Sequence, residues 1–375
     1  MSYIKSIFNN LFRENLDPGG MEDRHDPRDF DWREIAAALP TFDWKKGWDI
    51  HDELRTRLNN PDFILPVKNQ NGSLSCGGQA YATYGSILEA LSTGTFEERS
   101  AKFIYSQVFV EGGGSAGRDC SILMIKQGLG KELLTSSYLP NGNPPPEDFM
   151  ERSQDISDEA RADAKLSRAL SYIGVSTDID SIAQAAAANH GLVLGIRGTN
   201  NGSWYSTFPI PPGYWDKTWN HWIYVGGAKI LSDGKKAIHV FNSWGDRLGE
   251  KGWQWITQDY FKKSFGMNAP IFAGWTMVYN DVPIVRPLNT GFNFTENMVR
   301  GEQSDNVKNL QLALQLLGFF LVTIIPTGYY GNITANAVYA FQVANNIIPP
   351  DRNNAGPRTR TALNIAANIA AKQLA

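Results

Sequence analysis

Cysteine is scarce in this chain: Cys76 and Cys120 are the only two among 375 residues. That excludes a disulfide-stapled scaffold and any four-cysteine zinc site. No apolar run approaches the roughly 18 residues that a membrane-spanning helix needs. Charge of one sign is not in excess either. Lys+Arg 35 against Asp+Glu 38 leaves a net −3, which argues against a mainly electrostatic nucleic-acid or membrane partner. HExxH, CxxC and the phosphate-loop pattern ending in Gly-Lys-Ser/Thr are all missing, so no metal or cofactor is called for. The opening stretch MSYIKSIFNNLFREN is not a signal peptide, because Lys5, Asn9, Asn10 and Arg13 interrupt its apolar residues.

What is present suits a globular protein of two or three domains: hydrophobic residues are 42% of the total and charged ones 19%. Ile4, Ile7, Phe8, Leu11 and Phe12 fall at helical spacing, and Asp17-Pro18-Gly19-Gly20 ends that short amphipathic helix. It reads as a segment docked on its own protein, since one short helix binds membranes poorly. Residues 1–40 form this N-terminal segment, and 41–282 hold the apolar runs and both cysteines. The Pro- and Asn-containing stretch 283–300 reads as a linker. Residues 301–375 carry three helical patterns, punctuated by Gly328, Gly331 and Gly356. Val307, Leu310, Leu314 and Leu317 line the first, Val338 and Phe341 follow a Thr334 N-cap in the second, and Leu363 centres the third. They predict a small three-helix domain.

Cys76 stands between the loop PVKNQNGSLS and a helical pattern carrying Ala80, Tyr84, Ile87, Leu88 and Leu91. A helix beginning there, with Ser75 as N-cap, would place the sulfur at the positive end of the macrodipole, which favours the thiolate. The plain alternative is a buried, inert cysteine. Small neighbours (Ser75, Gly77, Gly78) would leave the sulfur approachable, whereas Cys120, ahead of Ile122, Leu123 and Ile125, reads as core. Residues 112–117, GGGSAG, match GxGxxG, but no acidic residue about 20 positions on sits in a clear second strand, so a glycine-rich turn is the better reading.

A thiolate needs a base, and the base an orienter. Of the five histidines, His25 and His51 lie in charged, loop-like stretches, and His190 sits at the end of an Ala-rich helix. The runs HWIYVGGAKI and AIHVF are joined through Asp233-Gly234, a strong hairpin signal. The hairpin returns Asn242, after its second strand, to the end where His221 precedes its first, and Gly226-Gly227 can absorb the register difference as a bulge. His239 points away from Val240, whose phase Asn242 shares, and reads as a packed or surface histidine.

These segments resemble papain-like cysteine peptidases. PVKNQNGSLSCGGQA is similar to their active-site segment, NHWIYVGG to the segment around the catalytic histidine, and FNSWGDRLGEKGWQWI to the Asn-Ser-Trp-Gly segment. FDWKK at 42–46 is similar to the start of the mature enzyme, and Gly191-Leu-Val-Leu-Gly-Ile to the strand entering the second half-domain. The resemblance implies Cys76 as nucleophile, His221 as its acid and base, Asn242 as the imidazole's orienter, Gln70 as an oxyanion donor and Trp244 as a shield. It also implies that Gly113 and Gly114 form the strip pairing with substrate backbone. The implied fold class is α+β, a helical lobe against a β-rich lobe, followed by a small all-α three-helix domain. Three departures stand out: Gly77 where Trp is usual after the nucleophile, no disulfide cysteines, and only about 40 residues ahead of the resemblance. LQLALQLLGFF, TGYYGNITANAVYAFQ and AGPRTRTALN resemble a peptidoglycan-binding three-helix domain. The implied function is a cysteine-type endopeptidase acting on peptide or protein substrates, with peptidoglycan as a second partner and no nucleic acid. A hydrolase or amidase of wall stem peptides and a non-catalytic wall-binding protein remain as alternatives. The C-terminal module points to the cell envelope or outside, and the missing signal peptide to the cytoplasm.

Overall fold

A computed structural model describes residues 19–23, 26, 29–36, 39–70, 72–143, 145–213, 216–262, 268–279, 291–320, 326–347 and 354–373. The amphipathic helix expected at 4–12 and His25 lie outside these residues. The chain divides into two compact units, the larger built on 41–277 with the segments before residue 26 and at 31–36, the smaller on 278 onward with short pieces of 26–40.

In the larger unit, strand β1 (Gly20–Met21) precedes β2 (Trp48–Asp49) and helix α1 (Ile50–Arg57). Three helices follow: α2 (Cys76–Thr93), α3 (Ala101–Val108) and, after strand β3 (Ser115–Ala116), α4 (Gly117–Lys126). Helix α2 is buried along most of its length, as its apolar composition requires. Its glycines let neighbours approach: a Cβ on Gly78 would stand 2.7 Å from Ala101 O, and one on Gly85 2.0 Å from a Leu129 methyl. Its buried hydroxyls are satisfied, Tyr81 donating to Gly117 O at 2.8 Å and Tyr84 to Asn189 O at 2.6 Å.

The β-rich part continues with β4 (Ser171–Gly174), helix α5 (Ile179–Ala188), β5 (Leu192–Thr199), β6 (Thr218–Ile230), β7 (Lys236–Phe241), β8 (Trp253–Thr257) and β9 (Ile271–Val278). The sheet includes the path β4-β9-β5-β6-β7-β8, with Phe30–Asp31 paired at the outer edge of β4 and β2 pairing β6 off this path. The hairpin at Asp233-Gly234 is present: Gly234 adopts φ +81°, and Leu231 and Lys235 close the turn at 2.9 Å. The register of β6 on β7 shifts between Val225 and Gly227, which puts the bulge at Gly226. One detail differs from the sequence reading. His221 lies inside β6, not ahead of it, because β6 stays paired with β5 as far as Thr199↔Thr218. His51 is on helix α1 and buried, with Nδ1 3.0 Å from Asp49 Oδ1, because Asp49 caps that helix. His190 sits two residues past α5 with φ +59°, bonded to Glu53 at 2.6 Å. His239 is packed, stacked on Trp255 at 4.0 Å.

The smaller unit contains α6 (Asp305–Leu316), α7 (Asn332–Ala344) and α8 (Pro357–Gln373). Val307, Leu310, Leu314, Val338, Phe341 and Leu363 are buried. Residues 291–299, placed by sequence in the linker, are part of this unit: Phe292 and Phe294 are buried, and their amides donate to Asn368 and Asn364 at 2.8 Å. Thr334 is not an N-cap. Helix α7 starts two residues earlier behind Gly331, and the Thr334 hydroxyl accepts from Gln311 Nε2 at 2.9 Å inside the core. Gln311 also receives Gly328 N–H and donates to Tyr329 O, each at 2.9 Å. Gln311→Ala orphans these buried groups and is expected to lower the unfolding free energy of this unit by about 2–3 kcal/mol, measured by urea titration.

Candidate active site

Cys76 is the first residue of α2 and is fully buried. Ser75 occupies the cap position, but its hydroxyl does not cap; it bonds Ser73 Oγ at 2.7 Å. The sulfur accepts from the backbone N–H of Trp222 on β6 at 3.5 Å, which sets it beside the residue next to His221. The imidazole of His221 is buried, its Nε2 2.9 Å from Asn242 Oδ1. Its Nδ1 has no hydrogen-bond partner among the described residues. Trp244 stacks on the imidazole with centroids 4.2 Å apart, and Trp219 meets it edge-on at 6.0 Å. Together the two indoles screen the His221–Asn242 bond from water.

Two further side chains hold this arrangement. Asn242 donates from Nδ2 to Gln254 Oε1 at 3.0 Å, and Gln254 Nε2 donates to Trp204 O at 2.7 Å and Ser206 O at 2.9 Å. The Asn242 amide therefore has one orientation, with its oxygen toward His221. Gln70 is buried on the loop before Cys76, its Oε1 accepting from Ser243 Oγ at 2.5 Å and its Nε2 donating to Ser73 O at 3.0 Å. Backbone pairing ties that loop to the segment after β7: Gln70 N–H to Ser243 O at 2.8 Å and Gly245 N–H to Lys68 O at 3.0 Å. Sequence reasoning missed Gln254, which carries no local signal and lies 12 residues from its partner. Gln254→Met is expected to lower kcat by about tenfold with a smaller change in KM, read from steady-state peptide hydrolysis with a thermal melt as control.

The cleft is not open. Residues 19–23 run along it as an extended strap. Gly20 and Met21 pair in parallel with Ser115 and Ala116, and Ser115 N–H donates to Gly19 O at 2.9 Å. The Gly19 amide reaches the Cys76 sulfur. Contact is so close that a Cβ on Gly19 would lie 1.6 Å from Leu74 O, one on Gly20 2.8 Å from His221 N, and one on Gly114 2.6 Å from Gly19 O. Glycine at 19 and 20 therefore admits the strap to the cleft; read from sequence, the same residues looked like the end of a helix.

This packing overturns the expectation of an approachable thiolate. Burial pushes the Cys76 thiol up to about 11, against the opposing hydrogen bonds from Trp222, Gly19 and Gly77. Burial also pulls His221 down to about 4, partly offset by its bond to Asn242. The strapped site thus holds a neutral thiol beside a neutral imidazole at pH 7. Gly77, where Trp is usual, has a cause here: a Cβ would stand 2.3 Å from Ser115 Oγ. Gly113 and Gly114, at φ +90° and +88°, shape the turn before β3, but the strap's ladder partner is Ser115. Glu147, also missed from sequence, ties the loop before Cys76 to the glycine turn: it accepts Leu74 N–H at 2.5 Å and the Tyr105 hydroxyl, which accepts Gly114 N–H at 2.6 Å. Cys120 is buried and free, 3.7 Å from Ser115 Oγ. Among the described residues no cluster could hold a metal ion.

The fold that positions these residues, a helical part against a β-sheet, has counterparts among solved structures. Xylellain, a cysteine protease from Xylella fastidiosa, aligns with TM-score 0.53 and 22% identity, over 72% of this chain and 98% of its own. The fold is papain-like. Procathepsin B S9 from Trypanosoma congolense aligns with TM-score 0.53 and 12% identity, over 71% of this chain and 87% of that one. The proform of Amb a 11, the ragweed pollen cysteine protease, gives 0.50 and 19% identity, covering 73% of each chain. Residues 303–363 match the family described as "Putative peptidoglycan binding domain". No curated protein matches the chain. The papain-like unit is followed, then, by a helical unit similar to a peptidoglycan-binding domain, and among the described residues no helix is long and apolar enough to cross a membrane.

Proposed function

We propose that the chain is a cysteine-type endopeptidase working through Cys76, His221 and Asn242, with its C-terminal unit directing it to peptidoglycan. The observation that carries this reading is the buried His221–Asn242 bond under Trp244, with the free Nδ1 of His221 on the residue next to the one that contacts the Cys76 sulfur. Once the strap leaves, water raises the imidazole's basicity and lowers the thiol's pKa, and the proton passes from Sγ to Nδ1. The thiolate attacks the peptide carbonyl, and the imidazolium protonates the departing amine. Asn242 holds the ring in one tautomer throughout. The Cys76 N–H at the helix start and the Gln70 amide stabilise the oxyanion, each worth about 10²–10³ in rate. His221 then activates water to release the acyl-enzyme.

The test is digestion of an unfolded L-protein beside purified peptidoglycan, each with and without pretreatment by a thiol-directed epoxide. Cleavage of the protein that the epoxide abolishes is the expected result. Release of wall stem peptides instead would favour the second reading, a stem-peptide hydrolase, which the match at residues 303–363 motivates. Neither cleavage nor labelling of Cys76 would leave a wall-binding protein without turnover.

A further inference from the structure

The strap ends on two acidic side chains, and the sites that receive them are built into the cleft wall. Glu22 pairs through Oε1 with Nη2 of Arg197 on β5. Arg197 is 7% exposed, its Nη1 donating to Ala269 O and its guanidinium lying 5.2 Å over the Phe272 ring. Among the described residues the only carboxylate paired with it is that of Glu22. Asp23 accepts from Arg118 N–H at 2.8 Å and from the Trp275 indole N–H at 2.6 Å. Trp275 is 6% exposed. Arg118 N–H belongs to the first turn of α4, whose cap residue Ala116 offers no side-chain acceptor. Departure of the strap would take the carboxylate partner from the Arg197 guanidinium and the acceptor from the Trp275 indole N–H.

From this we infer that the cleft recognises acidic peptides: the same donors take carboxylate side chains of the substrate, three to four residues from the scissile bond. The distance follows from the strap. Its Gly19 amide lies on the sulfur, Gly20 and Met21 pair with β3, and the next two residues reach Arg197 and Trp275. An extended peptide on the same wall covers that span at about 3.3 Å per residue. A buried arginine discriminates strongly, since a carboxylate satisfies its charge and a neutral amide does not. Displacement of the strap's own carboxylates by those of the substrate keeps the count of paired groups unchanged, which lets an acidic peptide compete where a neutral one does not.

The inference rests on the peptidase reading for its turnover arm and is independent of it in its binding arm. Internally quenched peptide twins, carrying Glu and Asp or Gln and Asn three and four residues to either side of the bond, are assayed with the full chain and with Cys76→Ala. The acidic twin on one side is expected to show kcat/KM at least about tenfold above its amide twin. Arg197→Gln, and separately Trp275→Phe, which keeps the ring and loses the N–H, should each bring that ratio down by about threefold or more. Equal cleavage of both twins by a Cys76-dependent activity overturns the inference and leaves the peptidase standing. In the second arm, fluorescence anisotropy measures the twins binding to Cys76→Ala. Acidic twins binding tenfold tighter, with no turnover by the unsubstituted chain, would keep the site and remove the peptidase; equal binding of the twins would remove the site.

Discussion

Gly19→Val is expected to raise the rate at which a small alkylating reagent labels Cys76 at pH 7 by about tenfold or more. The side chain has nowhere to go, because its Cβ would fall 1.6 Å from the Leu74 carbonyl oxygen. The strap must then leave the sulfur, and with it goes one side of the enclosure that pushes the thiol up to about 11. A return toward the ordinary 9.0 multiplies the thiolate fraction at pH 7 by about 100. Lower basicity takes back about a factor of ten in nucleophilicity, which leaves about tenfold before improved access is counted. The direction with pH follows from the sign of the shift. In the strapped chain labelling climbs about tenfold per pH unit across the neutral range, because the thiol remains protonated until about pH 11. In Gly19→Val the climb bends at a lower pH. Labelling followed by mass spectrometry from pH 6 to 10 reads both. Identical profiles would mean that the strap does not control the sulfur.

The strap also marks the limit of what local pattern could reveal. A helix start at Cys76, the turn at Asp233-Gly234 and the bulge at Gly226 are short-range events, written in apolar spacing, in the positive φ that Gly234 supplies and in the Gly226-Gly227 pair, and all three were legible. The hairpin brought His221 and Asn242 together from sequence because its two strands lie within 24 residues. The pairing of Gly20 with Ser115 spans 95 residues, and Arg197 with Glu22 spans 175. Nothing near Gly19 announces a strand, so Pro18-Gly19-Gly20 read as a helix terminus. Gln254 and Glu147 were missed for the same reason: each acts through hydrogen bonds to partners outside its own element, and a lone polar residue leaves no periodic trace. The Thr334 error is different in kind. A threonine before an apolar run is a fair cap signal, but Gln311 offered it a buried partner, and tertiary contact outweighed the local preference.

His221→Ala is expected to lower kcat for peptide hydrolysis by about 10³ or more, and Cys76→Ala to remove it altogether. The proposed mechanism asks the imidazole to do two things. In that mechanism it accepts the thiol proton at Nδ1, which has no hydrogen-bond partner among the described residues, and returns a proton to the leaving amine. General acid–base catalysis of this kind contributes about 10²–10⁴, and loss of the thiolate it sustains adds to that. The double variant should be no worse than Cys76→Ala alone, since a base without a nucleophile does nothing. Circular dichroism and a thermal melt separate this from misfolding. The control matters because the imidazole fills a buried space between Trp244 and Trp219, and truncating it leaves a cavity among aromatic rings. His221→Gln keeps more of that volume and an acceptor or donor for Asn242, yet cannot shuttle a proton near neutral pH. A stable His221→Gln chain that still hydrolyses peptides at more than about a tenth of the original rate would show that another group serves as base, and the reading of this site would fall.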